Sequence, residues 1–204
     1  MLTKEFNYLA IGKQVIQDEI VALQELPKIL DDNFNQVCSI LEACQGKVVF
    51  IGVGQSYHIA KKSACSMSSL GRPSFYMHAT EALHGDMGLI TKNDVVVFIS
   101  NSGKTPEILT ILEPINRINP KTIAIVSKKG SALEAQCDLA LITGVIEEAD
   151  PIKFAPSSSA IAMVALLDAV TMAIATSIGF TERDYLQYHP GGDIGKRLSE
   201  KMDK

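Results

Sequence analysis

The sequence contains no Cys-X-X-Cys pair. Its four cysteines, Cys38, Cys44, Cys65 and Cys137, are scattered along the chain. That spacing argues against a thiolate zinc site and fits a reduced compartment with inert core thiols. No basic block is present either. Against 23 acidic residues stand 19 lysines and arginines, for a net charge of −4. Nucleic acid and anionic membrane are therefore not expected as partners. An anion bound by this chain must be held by local geometry, not by a broad positive field. The opening "MLTKEFNYLAIGK" lacks a cleavable apolar core, so no secretory leader is expected and the cytoplasm is the expected location. "SAIAMVALLDAVTMAIATSIGF" is the most apolar stretch, but it carries Asp168 and several hydroxyls. It reads as a buried helix, not a membrane span. With no Pro-, Gly- or Ser-rich linker and no repeat, residues 1–204 are expected to form one domain.

What is present is alternation. Residues 4–25 read as a helix whose stripe of Phe6, Leu9, Ile16, Ile20 and Leu23 is widened by Tyr8, Ile11 and Val15. An apolar face that broad predicts a partner subunit as well as the chain's own core. Pro27 is expected to interrupt, and Asp31 or Asp32 to cap a second helix running to about Cys44. Five β-rich runs follow: "KVVFIG", "SFYMH", "DVVVFIS", "KTIAIVS" and "LALITG". They are apolar on both faces, as in a parallel sheet covered by helices on both sides, so a doubly wound α/β domain is expected. A last long helix should span about Ser158–Ile178, followed by a polar tail. Ligands of such folds sit beyond the carboxyl ends of the strands. The expected segments are those after Ile51, after Ile99, after Gly144 and before the last helix.

The first of these is "IGVGQSYHIAKKSA". Gly52 and Gly54 begin a dinucleotide fingerprint, but Tyr57 stands where the third glycine belongs. The second strand lacks the expected terminal acid, and there is no P-loop, so neither NAD nor a nucleoside triphosphate is expected. The third strand is more informative. "ISNSGKTPE" ends it in Ser100, Asn101, Ser102 and Gly103, then Thr105 and Pro106 open a helix. Clustered hydroxyls and free N–H groups at a helix start can hold a phosphate without metal or nucleotide. "APSSSA" repeats the theme, with Ser157 and Ser158 as a second hydroxyl-lined wall.

"GVGQSYHIAKK", "HATEALHGDMGLI", "FISNSGKTPEI", "EEADPIKFAPSSSA" and "YHPGGDIGKRL" occur in this order. Together they resemble the sugar-isomerase (SIS) domain of arabinose-5-phosphate isomerases, over essentially the whole chain. The resemblance implies a flavodoxin-like three-layer αβα sandwich with N-terminal helices. It also implies interconversion of ribulose 5-phosphate and arabinose 5-phosphate through an enediol, for Kdo and hence lipopolysaccharide or capsule, with no cofactor. Longer members carry CBS domains; this chain resembles the single-domain form. A homotetramer is implied, and CMP-Kdo is expected as a feedback ligand. The family's catalytic residues fall on Glu107, Glu148 and His189, with proton transfer expected of His189 and Glu148. Glu148 sits beside Glu147 and Asp150, which reads as a solvated acidic turn or, if part of the cluster is buried, as one whose like-charge repulsion raises a carboxyl pKa. Gly54, Ser56, Gly71, Arg72 and His84 join the two serine loops as expected substrate-binding positions. His78 matches a position associated with inhibitory zinc, which would need further ligands such as His84 or His189. His58 reads as structural.

One position departs. The family's usual "GKS" is here "GQS", so Gln55 replaces a catalytically relevant lysine. Loss of that cation is worth about 1.5–3 kcal/mol, a ten- to hundredfold lower rate. Lys104, Lys61 or Arg72 are candidates to compensate. A non-catalytic sugar-phosphate sensor and an isomerase of another phosphosugar remain as alternatives.

Overall fold

A computed structural model describes residues 6–145 and 147–202. The chain runs α1 (Tyr8–Ile29), α2 (Asp32–Ala43), β1 (Val48–Gly52), α3 (Gln55–Ser69), β2 (Ser74–His78) and the single turn α4 (Ala79–Ala82). It continues through β3 (Val95–Ile99), α5 (Pro106–Ile118), β4 (Lys121–Val126), β5 (Leu139–Ile142), α6 (Ser158–Ser177), α7 (Glu182–Tyr188) and α8 (Gly192–Met202). All five strands stand where their apolar runs predict. They pair in parallel in the order β2-β1-β3-β4-β5.

Period-two alternation sorts each strand between two cores. Val48 and Phe50 of β1, with Val95, Val97 and Ile99 of β3, face a layer built by α1, α2, α3 and α6. Val49, Ile51, Val96 and Phe98 face α4 and α5. The three layers follow from those two faces. α6 has a mean hydropathy of 1.9, enough by length and composition to cross a membrane. It buries Met163, Leu166, Leu167, Val170 and Ile174 in the first core instead.

Some boundaries differ from expectation. α1 continues through Pro27 to Ile29, because a proline in the last turn forfeits one bond just before the helix ends. Residues 4 and 5 lie outside the described residues. Only Leu26 of α1 is buried, while Tyr8, Leu9, Ile11 and Ile16 are exposed. Asp31 caps α2 by accepting from the Asn33 N–H at 3.0 Å. The polar tail forms two helices, the first opened by a capping box between Thr181 and Asp184. Cys65 is exposed and so is no core thiol, whereas burial pushes the Cys137 thiol up to about 12.

Asp94 pins the amino ends of β1 and β3. Its buried carboxylate accepts from the Lys47 N–H at 2.8 Å, the Lys47 ammonium at 2.9 Å and the Thr91 N–H at 2.7 Å. Burial alone would raise its pKa, but these bonds and the Lys47 charge hold it below the ordinary range. A depressed folded pKa gives stability that is present above the unfolded pKa and lost as pH falls through the folded one. Asp94→Ala should cost about 2–4 kcal/mol in urea unfolding at neutral pH. The gap to wild type should narrow as pH drops below the ordinary aspartate value of about 3.9.

Candidate active site

The chain leaves β1 for one edge of the sheet, at β2, and returns on its other side as β3. The crevice beyond the carboxyl ends of β1 and β3 is the switch point where ligands of such sheets bind. One wall is the turn into α3. A Cβ on Gly52 would lie 2.5 Å from the Ser56 carbonyl, so glycine is required for this close approach. Gly54 has φ +57°, a left-handed conformation that glycine adopts without strain. The N–H groups of Gly54, Gln55 and Ser56 meet no acceptor among the described residues. They point their partial positive charge into the crevice, as anion binding requires. Tyr57, in place of the third glycine, packs edge-on against His78 at 5.1 Å.

The opposing wall is the loop after β3. Thr105 occupies the cap position of α5, but its hydroxyl bonds to Ser100 Oγ at 2.7 Å and does not cap the helix. Ser100, buried, also accepts from the Gly103 N–H at 3.1 Å. The loop is thus closed on itself. The N–H groups of Asn101 and Ser102 have no acceptor among the described residues, and Asn101 Oδ1 is buried without a partner. Glu107 is exposed in the first turn of α5. Gln55 is exposed at the start of α3.

Glu148 behaves differently from expectation. It is buried against the start of α6, where Oε2 accepts from the Ser157 N–H at 2.9 Å, the Ser159 N–H at 3.0 Å and the Ser157 hydroxyl at 3.2 Å. Oε1 accepts from the Ser159 hydroxyl. Burial pushes this carboxyl up, yet the bonds from Ser159 and Ser157 outweigh it and the pKa is lowered. The expected rise from Glu147 and Asp150 does not occur, because Glu148 serves as the cap of α6. The Ser157 hydroxyl is engaged as well, accepting from the Ala149 N–H at 2.8 Å. Ser158 is buried at the first position of α6. A cavity of about 440 Å3 opens beside Glu148 and Ser158. Its other wall carries Asp18, Glu25 and Glu147 against a single cation, Lys153, a balance that disfavours phosphate; the unpartnered N–H groups line the crevice instead.

The remaining expected residues divide by edge. His78 ends β2, and its Nδ1 accepts from the Thr80 N–H at 3.2 Å as the cap of α4. His84 is exposed just beyond α4. Gly71 and Arg72 precede β2, at the opposite edge of the sheet, where Arg72 donates to the Cys44 carbonyl at 3.1 Å. Arg72 cannot compensate for Gln55 within one chain. His189 sits at that far edge too. α6 descends about 30 Å at 1.5 Å per residue, ending where the Ser177 hydroxyl meets Glu42 at 2.6 Å. Beyond it Phe180 and Tyr188 pack over Gly71, and His189 stacks on Tyr185 with ring centroids 3.9 Å apart. Among the described residues no three His, Cys, Asp or Glu side chains gather to hold a metal. His78 therefore has no described set of ligands within one chain, and a zinc site there would need His84 or His189 from another subunit. No described residue is assigned to CMP-Kdo.

Residues 42–173 match the family described as SIS domain. The chain belongs to that family. It is 38% identical over 193 residues to arabinose 5-phosphate isomerase KdsD of Escherichia coli K12, covering 95% of this chain and 59% of the relative. The KdsD of Pseudomonas aeruginosa is 38% identical over 202 residues, covering 99% of this chain and 62% of the relative. The chain thus spans about three fifths of the length of these relatives. Among solved SIS structures, that of E. coli CFT073 c3406 in complex with arabinose 5-phosphate superimposes with a TM-score of 0.88 at 39% identity. That match covers 91% of this chain and 100% of the other.

The loop after β4 escaped the sequence reading. Lys128, Lys129 and Ser131 share a pocket of about 390 Å3 with Asn101, Ser102 and Lys104. The signal was "VSKKGS", polar residues at a strand's carboxyl end like those after β1 and β3.

Proposed function

We propose that this chain interconverts D-ribulose 5-phosphate and D-arabinose 5-phosphate. The crevice between β1 and β3 carries the reading: two facing loops present unpartnered N–H groups and hydroxyls, with Glu107 at their rim. The likeness to KdsD enzymes and to c3406 with its bound arabinose 5-phosphate supports the choice of sugar. The phosphate is the handle that positions the reacting carbons. A base then removes the proton beside the carbonyl, and donors stabilise the enediolate oxygen. We assign proton transfer to His189 of a second subunit, assisted by Glu107, because His189 lies a helix length from the crevice of its own chain. The exposed apolar face of α1 supports assembly, taken as a homotetramer. The setting is cytoplasmic supply of Kdo for lipopolysaccharide or capsule.

Incubation with ribulose 5-phosphate should yield the aldose. A folded preparation giving none at high enzyme concentration rejects the assignment. Gln55 favours one second reading, a sugar-phosphate sensor without turnover, which such a result would support if arabinose 5-phosphate still raised the melting temperature. For the enzyme, Gln55→Lys restores a cation near the crevice and should raise kcat about tenfold or more. An unchanged or lower kcat would mean that position 55 is not where this chain needs charge.

A further inference from the structure

If Gln55 supplies no charge, the positive groups at the carboxyl edge of the sheet must be sought elsewhere. Lys62 pairs with Asp168, and Lys153 lies 3.9 Å from Glu147. Lys61 lies over the Tyr76 ring, 5.5 Å from its centroid. Lys47 and Lys121 serve Asp94 and Asp138 at the amino edge. Lys104 and Lys128 have no ion-pair partner among the described residues, and Lys129 has only the exposed Asp31 at 3.9 Å. These last three line one pocket with Asn101 and Ser102.

The pocket's two loops are stitched together at both ends. The Ser127 N–H and hydroxyl both donate to the Asn101 carbonyl, at 3.0 and 2.7 Å. The Leu133 N–H donates to the Gly103 carbonyl at 3.0 Å. A Cβ on Gly103, whose φ is +61°, would collide with the Ser131 side chain. Between these anchors the N–H groups of Lys128 and Lys129 donate to no described residue. Glu134, the nearest acid on this loop, is spent on the Gly130 and Ser131 N–H groups. The turn therefore holds two ammonium groups and two free amides against the loop that already offers Asn101 and Ser102.

We propose that Lys128 and Lys129, with Lys104, form a cationic wall that receives the phosphate dianion of the sugar phosphate on the β4 side of the Ser100–Thr105 loop. The identity of the sugar rests on the function proposed above; the anion site does not.

The test compares wild type, Lys128→Gln/Lys129→Gln, Lys128→Arg/Lys129→Arg and a control, Lys92→Gln, whose lysine is exposed before β3. Calorimetry with inorganic phosphate is run beside KM and kcat for arabinose 5-phosphate at low and high salt. The glutamine pair should lose about tenfold or more in phosphate affinity and gain as much in KM. Its kcat should change much less and its salt dependence should flatten. The arginine pair should retain wild-type behaviour, and the control should match wild type. Phosphate affinity in the glutamine pair equal to that of the control overturns the proposal, as does a wild type that binds no phosphate. A wild type without turnover whose phosphate affinity still collapses in the glutamine pair upholds the site and rejects the isomerase.

Discussion

Mixing two inactive variants, His189→Ala and Glu107→Gln, should restore activity that neither has alone. His189 and Glu107 stand at opposite edges of one sheet, separated by the length of α6. If each active site takes Glu107 from one chain and His189 from another, a mixed pair contains one site with both residues intact. Each variant alone should lose about 10²–10⁴-fold in kcat, the usual contribution of a positioned acid or base. After co-refolding in equal amounts, about a quarter of the wild-type kcat should return for random pairing at a two-fold interface. Both substitutions are at positions outside the cores, so folded variants are expected, with circular dichroism as the check. Restored activity requires contact between chains, and the apolar face of α1, with Tyr8, Leu9 and Ile16 exposed, offers an assembly surface. No recovery from a mixture shown to contain mixed oligomers would mean that His189 acts within its own chain or not at all.

The fold was legible because its signals are local and repeated. Apolar residues fill β3, run through β1 as far as Gly52 and occupy β4 from Ile123 to Val126, and each of these strands alternates between two cores without a misplaced polar side chain in the middle. The Ser100–Thr105 loop was legible for the same reason, since strand, polar turn and Pro106 are contiguous. What the sequence hid depends on residues far apart in the chain. Asn101 and Ser127 hold the two loops of the lysine pocket together across 26 positions. Read alone, "SKKGS" is a solvated turn. Thr105 could be placed at a helix start, but not its choice of Ser100 Oγ over the helix N–H groups. The serine cluster at 157–159 read as a wall facing the ligand, while two of its hydroxyls face Glu148. An acidic triplet at 147–150 implies repulsion only if its members point at one another. Here Asp150 turns to the Ile152 and Ala155 N–H groups and Glu148 to the helix.

That orientation makes Glu148→Gln the sharpest separation of a base from a cap. Both carboxylate oxygens are filled by donors from Ser157 and Ser159. An amide can accept at one position only and must turn its NH2 toward a donor or swing away. Several charge-assisted bonds are lost together, and the start of α6 is left with unsatisfied N–H groups. We expect a stability loss of about 2–4 kcal/mol by urea unfolding. kcat/KM should fall about ten- to hundredfold, since a shifted α6 start disturbs positioning at a distance and not proton transfer itself. Glu148→Asp should not rescue, since the shorter arm cannot reach both serines. The pH dependence has a definite sign. The folded pKa of Glu148 is depressed, so its contribution to stability is full above the ordinary glutamate value of about 4.3 and disappears as pH falls through the lower folded one. Wild type and Glu148→Gln should therefore converge in stability only in acid, and the near-neutral limb of the kcat/KM profile should keep its position in both. A glutamine variant with wild-type stability and a displaced limb would instead identify Glu148 as the titrating base and leave the capping bonds without consequence.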